Sequence, residues 1–345
     1  MITVDGSFGE GGGSIVRHCI ALSLLTQKPF KLYNIRKNRS KPGLSEQHYK
    51  SIQLALDVTD SKVVGHRKKS LSIEFYPKPI KNKKVRVTMN TAASISLCAQ
   101  SIVLPYVFSD KKINMELIGG TDVANSPSID YFQNVFLAEL RDYANTEVIV
   151  KKRGYFPKGK GKVQIKIKGK NVTKPFTKTL FKKPFYVKGV SHSSKDQQSR
   201  NVAERQARAC NIILSDLDAR VSIQSFYDDT QSTGNNVTLW AISDFGEGQH
   251  VLGKYINTFD DVKPEDLGEN VARELKKDIQ SQTVIDEHQL DQLILPISIV
   301  GGSLRYNKIT SHTKSNMYLA NLFLNTSFEE NKENKVVKVS KPYLP

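Results

Sequence analysis

Two segments near the N-terminus carry residues suited to phosphate chemistry. The stretch GSFGEGGGSIVRH (6–18) places five glycines and Glu10 directly before an apolar helical pattern. A glycine turn that leads into a helix brings backbone N–H groups to an anion, assisted by the positive end of the helix. Glu10 would repel phosphate unless a divalent cation such as magnesium lay between them. The stretch therefore predicts a phosphate site, with a purely structural glycine turn as the alternative.

The second segment is a basic loop. Arg36, Arg39 and Lys41 lie within six residues in NIRKNRSKPGL, where a dinucleotide site would carry a carboxylate. No Gly-Lys-Ser/Thr closes the glycine stretch, so it is not a Walker A loop either. Arginine forks bind phosphate oxygens in pairs, and three cations in one loop are hard to bury in a core. We expect a second phosphate contact here, with simple solvation of the loop as the alternative.

Among the seven histidines, His312 is the strongest candidate for chemistry. It lies among small polar residues in TSHTKSNM, at a predicted junction between a strand and a helix that would expose a ring nitrogen. His288 and Asp291 are three residues apart on one predicted helix face, where a local hydrogen bond is the default interpretation. His250 lies in a polar segment and is expected at the surface.

The net charge favours a polyanionic partner. The 51 lysines and arginines outnumber the 34 acids, which gives a net charge of +17. Residues 151–185 contain thirteen of the basic residues and no acid. Such a surplus attracts nucleic acid or another phosphate-rich partner through long-range attraction and counterion release. A lysine-rich, solvated surface is the alternative.

The cysteines and the hydropathy exclude other classes. Cys19, Cys98 and Cys210 each lie in an apolar helical pattern, so we expect buried free thiols, a reducing compartment and a cytoplasmic location. None is at metal-ligand spacing from another, which argues against a structural zinc site. No apolar run approaches the roughly 18 residues that span a bilayer, and no secretory signal is recognisable. A membrane partner is therefore not expected.

Alternating strands and helices must position these residues. Three blocks follow a β-α-β-α-β-β-like order, which predicts a repeated α+β fold with helices packed on sheets. A segment with its own strands and helices lies between the second and third blocks. We therefore predict a large domain from 1–183 and 281–345, with repeats one and two before the interruption and repeat three after it, and a small inserted α+β domain over 184–280.

Seven ordered stretches, spread over nearly the whole chain, resemble the RNA 3′-terminal phosphate cyclase family. They are DGSFGEGGGSIVR, IRKNRSKPGLSEQH, GGTDVANSPSIDYF, RGYFPKGKG, GVSH followed by VAERQARA, DQLILP and SHTKSN. The resemblance implies a large domain of three repeated units, each a four-stranded sheet with two helices, and a smaller inserted α+β domain. The blocks predict the same arrangement independently.

The resemblance also implies a reaction with ATP and an RNA that ends in a 3′-phosphate. A histidine attacks the α-phosphate of ATP, releases pyrophosphate and carries AMP; the match to SHTKSN assigns this role to His312. AMP then passes to the RNA 3′-phosphate. Attack by the neighbouring 2′-hydroxyl releases AMP and leaves a 2′,3′-cyclic phosphate, which requires RNA because DNA lacks that hydroxyl.

The family motifs assign further roles by position. Glu10 matches a metal-associated glutamate for magnesium or manganese, and Asp291 matches a required aspartate that would orient His312 or its neighbours. His288 is a weaker candidate for the same pocket. The remaining matches are phosphate contacts at Arg17, Arg36, Arg39 and Gln47, a polar contact near the nucleotide at Gln100, and adenine stacking at Pro127 and Tyr131.

Some features leave alternatives open. Ser14, Lys160 and MNTAAS depart from the usual family pattern, the first two at the expected pocket rim. The family also contains non-catalytic proteins of ribosomal RNA maturation that lack the nucleophilic histidine. The presence of His312, Glu10, Arg17 and Asp291 favours the enzyme. Enolpyruvyl transfer is a distant third hypothesis. Homo-oligomer formation, the cellular RNAs and activity on 5′-phosphate or DNA ends stay open.

Overall fold

A computed structural model describes residues 1–9, 11–244, 249–258 and 262–344. Within these ranges the chain forms four four-stranded sheets covered by helices, which confirms the predicted α+β class of repeated units. None of the helices in the described ranges combines the length and the apolarity needed to cross a membrane.

The first two units share one order of elements and one sheet topology. The first contains β1 (Ile2–Asp5), α1 (Ser14–Thr26), β2 (Phe30–Tyr33), α2 (Glu46–Asp57), β3 (Lys62–Val64) and β4 (Ile73–Tyr76), with sheet order β1-β2-β4-β3. The second contains β5 (Lys83–Thr88), α3 (Ile95–Val107), β6 (Lys112–Gly119), a bent helix over 129–139, β7 (Ala144–Lys152) and β8 (Gly161–Gly169), with sheet order β5-β6-β8-β7. The bent helix consists of α4 (Ile129–Tyr131), a π-helical turn (Phe132–Phe136) and α5 (Leu137–Glu139).

A further sheet follows β9 (Phe176–Lys178). It is formed by β10 (Tyr186–Ser194), β11 (Arg220–Asp228), β12 (Asn235–Asp244) and β13 (Gln249–Thr258) in the order β11-β10-β12-β13. Two helices, α6 (Val202–Leu214) and α7 (Pro264–Gln280), pack against it around a separate apolar core. Pro264 and two acids begin α7, as expected of a helix start.

The third unit contains α8 (Glu287–Val300), β14 (Gly302–Arg305), α9 (Ser311–Leu324), β15 (Phe328–Asn331) and β16 (Val336–Val339). Its sheet has the order β15-β16-β14-β9, and β9 pairs in parallel with β14. A strand that precedes the inserted segment therefore completes the third sheet. With β9 included, this unit has the same β-α-β-α-β-β order as the other two.

The three units share one core. Helix α1 packs against α3 and α9, and α8 packs against α9, so helices from all three units meet in its centre. A smaller cluster of Tyr131, Val135 and Val251 joins the bent helix to β13. The polar residues before α1, α3 and α9 consequently open toward one region of the surface.

The surface location expected for His250 is wrong. This residue lies in β13 and is only 3% exposed. Its Nδ1 is 3.2 Å from Oε1 of Glu139, and its Nε2 is 2.5 Å from the carbonyl oxygen of Val284. Because the polar residues that lead up to His250 hid a strand, no sequence feature indicated that this residue lies between the inserted sheet and the large core.

Candidate active site

A cavity of about 840 Å³ opens where the three units converge. It is lined by residues of α1, α2, α3, α8 and α9, and by the loops after β2 and β6. Nine of the residues predicted from the sequence line it: Arg17, Arg36, Arg39, Gln47, Gln100, Pro127, His288, Asp291 and His312. The fold therefore brings together side chains that are almost 300 residues apart in the chain.

His312 lies in the first turn of α9 and is half-buried at the cavity wall. The helix begins at Ser311. Thr310 caps it, because its hydroxyl oxygen accepts a hydrogen bond of 3.0 Å from the backbone N–H of Thr313. The ring thus lies beside the positive end of a helix, where an anionic group is favoured.

Asp291 holds the start of that helix from α8. Its carboxylate accepts hydrogen bonds of 2.6 Å from the hydroxyls of Thr310 and Thr313. The side-chain amide of Asn316 donates to the backbone carbonyl of Asp291 at 2.7 Å. Burial raises the pKa of Asp291, while the two hydroxyls and the nearby His312 oppose this shift. Its contacts reach Thr310 and Thr313, the neighbours of His312, and the positioning role that the resemblance implies stays a prediction.

Two further imidazoles, those of His18 and His48, line the cavity, and sequence reasoning did not assign His18 to the site. Nδ1 of His18 lies 2.6 Å from Oδ1 of Asn316, and since that oxygen only accepts, Nδ1 carries the proton. Nδ1 of His48 accepts a hydrogen bond of 3.3 Å from the backbone N–H of Ser45. Burial, together with the charge of Arg17, lowers the pKa of both rings to about 3. Both are therefore neutral near pH 7.

The arginines provide the positive charge of the cavity. Arg17 is buried on α1 at 8% exposure, whereas Arg39 is exposed on the loop after β2. Arg36 adopts a left-handed backbone conformation with φ of 53°, and its guanidinium donates to the carbonyl oxygen of Gly43 at 3.1 Å. Arg17 and Arg36 are two of the charges that disfavour a proton on His48. The wall suits phosphate oxygens, which arginine forks bind in pairs.

The glycine stretch fits closely against this wall. A side chain at Gly13 would overlap the ring of His48, so only glycine allows α1 to begin there. Gln47 connects the first two units, because its side-chain oxygen accepts a hydrogen bond of 3.3 Å from the backbone N–H of Ser94. Gln100 is buried on α3 at the same cavity.

Flat side chains line another part of the cavity. Pro127, Phe156, Tyr255 and His288 all contribute to it. Tyr131 is completely buried and is absent from the lining, because the bent helix turns it into the small core beneath. Its ring packs against that of Tyr255, with centroids 4.9 Å apart. The structure therefore brings Pro127 to the cavity, but not Tyr131.

The metal role predicted for Glu10 falls outside the described residues. Within the described ranges, no three His, Cys, Asp or Glu side chains are grouped as a metal site. The three cysteines are free and buried, as the sequence predicted. Burial raises the pKa of Cys98 and Cys210 to about 12, so these thiols stay protonated.

Comparison with known proteins identifies what the chain resembles as a whole. The family model described as RNA 3′-terminal phosphate cyclase matches residues 8–329. A protein of that name from Methanococcoides burtonii is 37% identical over 342 residues, which cover 99% of each chain. A protein of the same name from Archaeoglobus fulgidus is 36% identical over 96% of this chain and 99% of its own chain. A third, from Caldivirga maquilingensis, is 37% identical over 99% of this chain and 97% of its own.

Proposed function

Because the chain belongs to the RNA 3′-terminal phosphate cyclase family, we propose that it converts an RNA 3′-phosphate into a 2′,3′-cyclic phosphate at the expense of ATP. One observation carries the proposal. His312 lies at the positive end of α9, in a cavity that also contains Arg17 and Arg36. This arrangement combines a nucleophile with cations that bind the phosphates around it.

In the first step, a ring nitrogen of His312 attacks the α-phosphorus of ATP. The nitrogen–phosphorus bond forms, the bond to the bridging oxygen breaks, and pyrophosphate leaves with the electron pair. The start of α9 and the arginine wall stabilise the charge that develops on the phosphate oxygens. Asp291 acts as a positioning residue, because it holds Thr310 and Thr313 and thereby the turn that carries His312.

In the second step, an oxygen of the RNA 3′-phosphate attacks the phosphorus of the bound AMP. The nitrogen–phosphorus bond breaks and His312 is regenerated. In the third step, the 2′-hydroxyl attacks the 3′-phosphorus, loses its proton to the surroundings, and AMP departs. Because only RNA carries this hydroxyl at the terminal ribose, the third step selects RNA.

The adenosine part of ATP is proposed to lie against the flat side chains of the cavity. Pro127, Tyr255 and His288 offer surfaces to an adenine ring, which gains contact area from a flat partner. Tyr131 acts from beneath by packing against Tyr255, and its role is therefore indirect. Gln47 and Gln100 supply amide groups for the sugar or the phosphates.

Magnesium or manganese is part of the proposal. Magnesium is typically held by one or two protein carboxylates together with substrate phosphates. The described residues offer no cluster that would hold the ion by themselves, so a site shared with the ATP phosphates fits better. Glu10 is the carboxylate that we propose for it, and the ion would offset phosphate charge. The buried free thiols fit a reducing compartment such as the cytoplasm.

The experiment uses an RNA with a 3′-phosphate, ATP and magnesium. We expect the terminal phosphate to become resistant to phosphatase, with one AMP released for each end. The control RNA is identical except for a 2′-deoxy terminal sugar; it should accumulate as the adenylylated end, because the last nucleophile is missing. Binding of RNA without consumption of ATP would contradict the enzyme and favour a non-catalytic role in ribosomal RNA maturation.

A further inference from the structure

We infer that the outer face of the second sheet binds the RNA strand that leads to the cavity; the inference rests on the proposed function. In β8, Val163, Ile165 and Ile167 point into the core, so alternate residues form the outer face. Strand pairing places the corresponding residues of β5, β6 and β7 beside them. The basic side chains of this basic sheet face are Lys84, Arg86, Lys112, Lys151, Lys152, Lys162, Lys166 and Lys168.

Only two acids stand on the basic sheet face, and both are paired with its own cations. Glu116 lies 3.2–3.3 Å from Arg86, Lys151 and Lys162. Glu147 lies 2.9 Å from Lys166. Eight basic groups against two acids leave a surplus of six positive charges on one flat surface. A positive surplus of this size attracts a polyanion such as RNA.

The repeats of the fold provide an internal comparison. The outer face of the first sheet carries Lys31 and Lys62 against Asp5 and Glu74, which leaves no net charge. On the third sheet, Lys338 and Arg305 face Glu329, a surplus of one. All three sheets have the same topology and cover the same core. The positive charge of the second face is therefore not required by the fold.

The basic sheet face ends at two loops that line the cavity. At the end of the sheet that carries Lys152 and Lys162, the loop after β6 supplies Pro127 to the cavity and the loop before β8 supplies Phe156. Two exposed lysines, Lys158 and Lys160, lie on the second of these loops. The nine residues of β8 extend about 30 Å from this end, which suffices for several nucleotides.

At the far end of the sheet, a groove of about 580 Å³ is lined by the lysines of three strands. They are Lys83, Lys84, Lys112, Lys166 and Lys168. Among the described residues of β5, β6, β7 and β8, the outer face carries no aromatic side chain that would stack on a base. We therefore expect contacts with the phosphate backbone that do not depend on the RNA sequence.

The test compares two double variants with the same change in charge. K166E/K168E reverses charge on the basic sheet face, and K31E/K62E does so on the first sheet. In each pair one lysine has an acidic partner, Lys166 with Glu147 and Lys31 with Glu74. The substrates are a 12-nucleotide RNA with a 3′-phosphate and a dinucleotide with a 3′-phosphate. Thermal melting checks that both variants fold.

We expect K166E/K168E to raise the KM for the 12-mer about tenfold. The slope of the logarithm of the 12-mer affinity against the logarithm of the salt concentration should become shallower by about 0.7 for each lost phosphate contact. The dinucleotide KM and self-labelling with ATP should not change. K31E/K62E should resemble the wild type in all four measurements. Equal effects of the two variants on the 12-mer, or equal effects of K166E/K168E on both substrates, would overturn the inference.

The proposed function can fail separately. If the wild type cyclises neither substrate, the reaction assigned to the cavity is wrong. Fluorescence anisotropy with the 12-mer then still tests the surface, because it needs no turnover. Weaker binding by K166E/K168E alone would support the basic sheet face, and unchanged binding would contradict it.

Discussion

At the scale of single residues, the site combines permanent cations with imidazoles that are kept neutral. Arg17 is buried beside His18 and His48, and its charge adds to the burial that lowers the pKa of both rings. A neutral imidazole donates and accepts one hydrogen bond each, which suits the contacts of His18 with Asn316 and of His48 with Ser45. The positive charge of the wall therefore comes from the arginines.

This arrangement predicts a loss of stability in acid. The pKa of His48 is about 3 in the folded protein and about 6.5 in the unfolded chain, so the unfolded chain binds the extra proton between these values. The stabilising contribution is complete above pH 6.5 and declines as the pH falls toward 3. From pH 7.5 to pH 5, the free energy of unfolding, measured with urea, should fall by about 2 kcal/mol more in the wild type than in H48N.

Asparagine is the matched replacement, because its oxygen can accept the hydrogen bond from Ser45 and it does not titrate. His66, which lies outside the cavity lining and contacts the carbonyl oxygen of Tyr49 at 3.0 Å, provides the control H66N. Parallel pH profiles for the wild type and H48N would show that the proton is not excluded from His48.

The sequence indicated some site residues better than others. His312, Arg36 and Arg39 could be identified from the sequence because they lie in a loop or at a helix end. At such positions a charged or polar side chain does not contribute to core packing, so a functional role is the better explanation. His18 was not assigned to the site, because it lies in an amphipathic helix where a packing role is more common. Tyr131 was expected beside adenine, but residue identity does not show which way a bent helix turns its side chains.

At the scale of elements, the cap of α9 controls the position of the proposed nucleophile. Thr310 and Thr313 form a reciprocal cap, and Asp291 of α8 accepts a hydrogen bond from each hydroxyl. Because these three groups fix the first turn, a change in any of them reaches His312 through the backbone. The helix starts at Ser311 because of this cap, which spacing in the sequence did not reveal.

The cap predicts a graded series at Asp291. D291A removes Oδ1, the oxygen that accepts both hydrogen bonds, and should slow self-adenylylation about 100-fold, since small misplacements of a reacting group have effects of that size. D291N keeps one acceptor oxygen and should be less affected. The readout is the rate of label transfer from ATP at saturating nucleotide, with KM for ATP measured separately.

A purely structural role would lower the melting temperature without changing the rate of the folded protein. T310S, which keeps the hydroxyl, should retain the rate, whereas T310V should lose it. Equal rates for D291A and D291N would contradict an acceptor role for Asp291.

At the scale of the whole molecule, a buried charge network joins the inserted segment to the second unit. Arg153 is 4% exposed and lies 2.9 Å from Asp122 and 2.7 Å from Asp130. It also donates to Nε2 of His192 at 2.8 Å, and the other nitrogen of that ring lies 2.7 Å from Asp228. Two residues of the large core and two of the inserted sheet therefore share one guanidinium.

R153A should destabilise the protein by about 3–5 kcal/mol, because it leaves the two buried carboxylates of Asp122 and Asp130 without their cation. The control is R273A, since Arg273 forms an exposed pair with Glu269 one helical turn away and should cost no more than about 0.5 kcal/mol. Denaturant unfolding measures both. Similar small losses for the two variants would mean that Arg153 does not hold the network together.

The repeated architecture could be predicted from the order of strand and helix patterns, but the strands that complete the third sheet could not. β9 and β15 contain only three and four residues, too few for a clear period-two pattern. β9 also lies more than 100 residues before β14, its partner in the third sheet. The polar residues that lead into β13 hid the strand that connects the inserted sheet with Tyr131 and the cavity.

Covalent labelling tests the central claim most directly, namely that His312 bears the AMP. The wild type incubated with ATP carrying a labelled α-phosphate should acquire label in a bond that is labile in acid and stable in alkali, and peptide mapping should place it on His312. H312A should acquire none, while H66A should match the wild type. Labelling of H312A at the wild-type level, or a label mapped to another residue, would contradict the account.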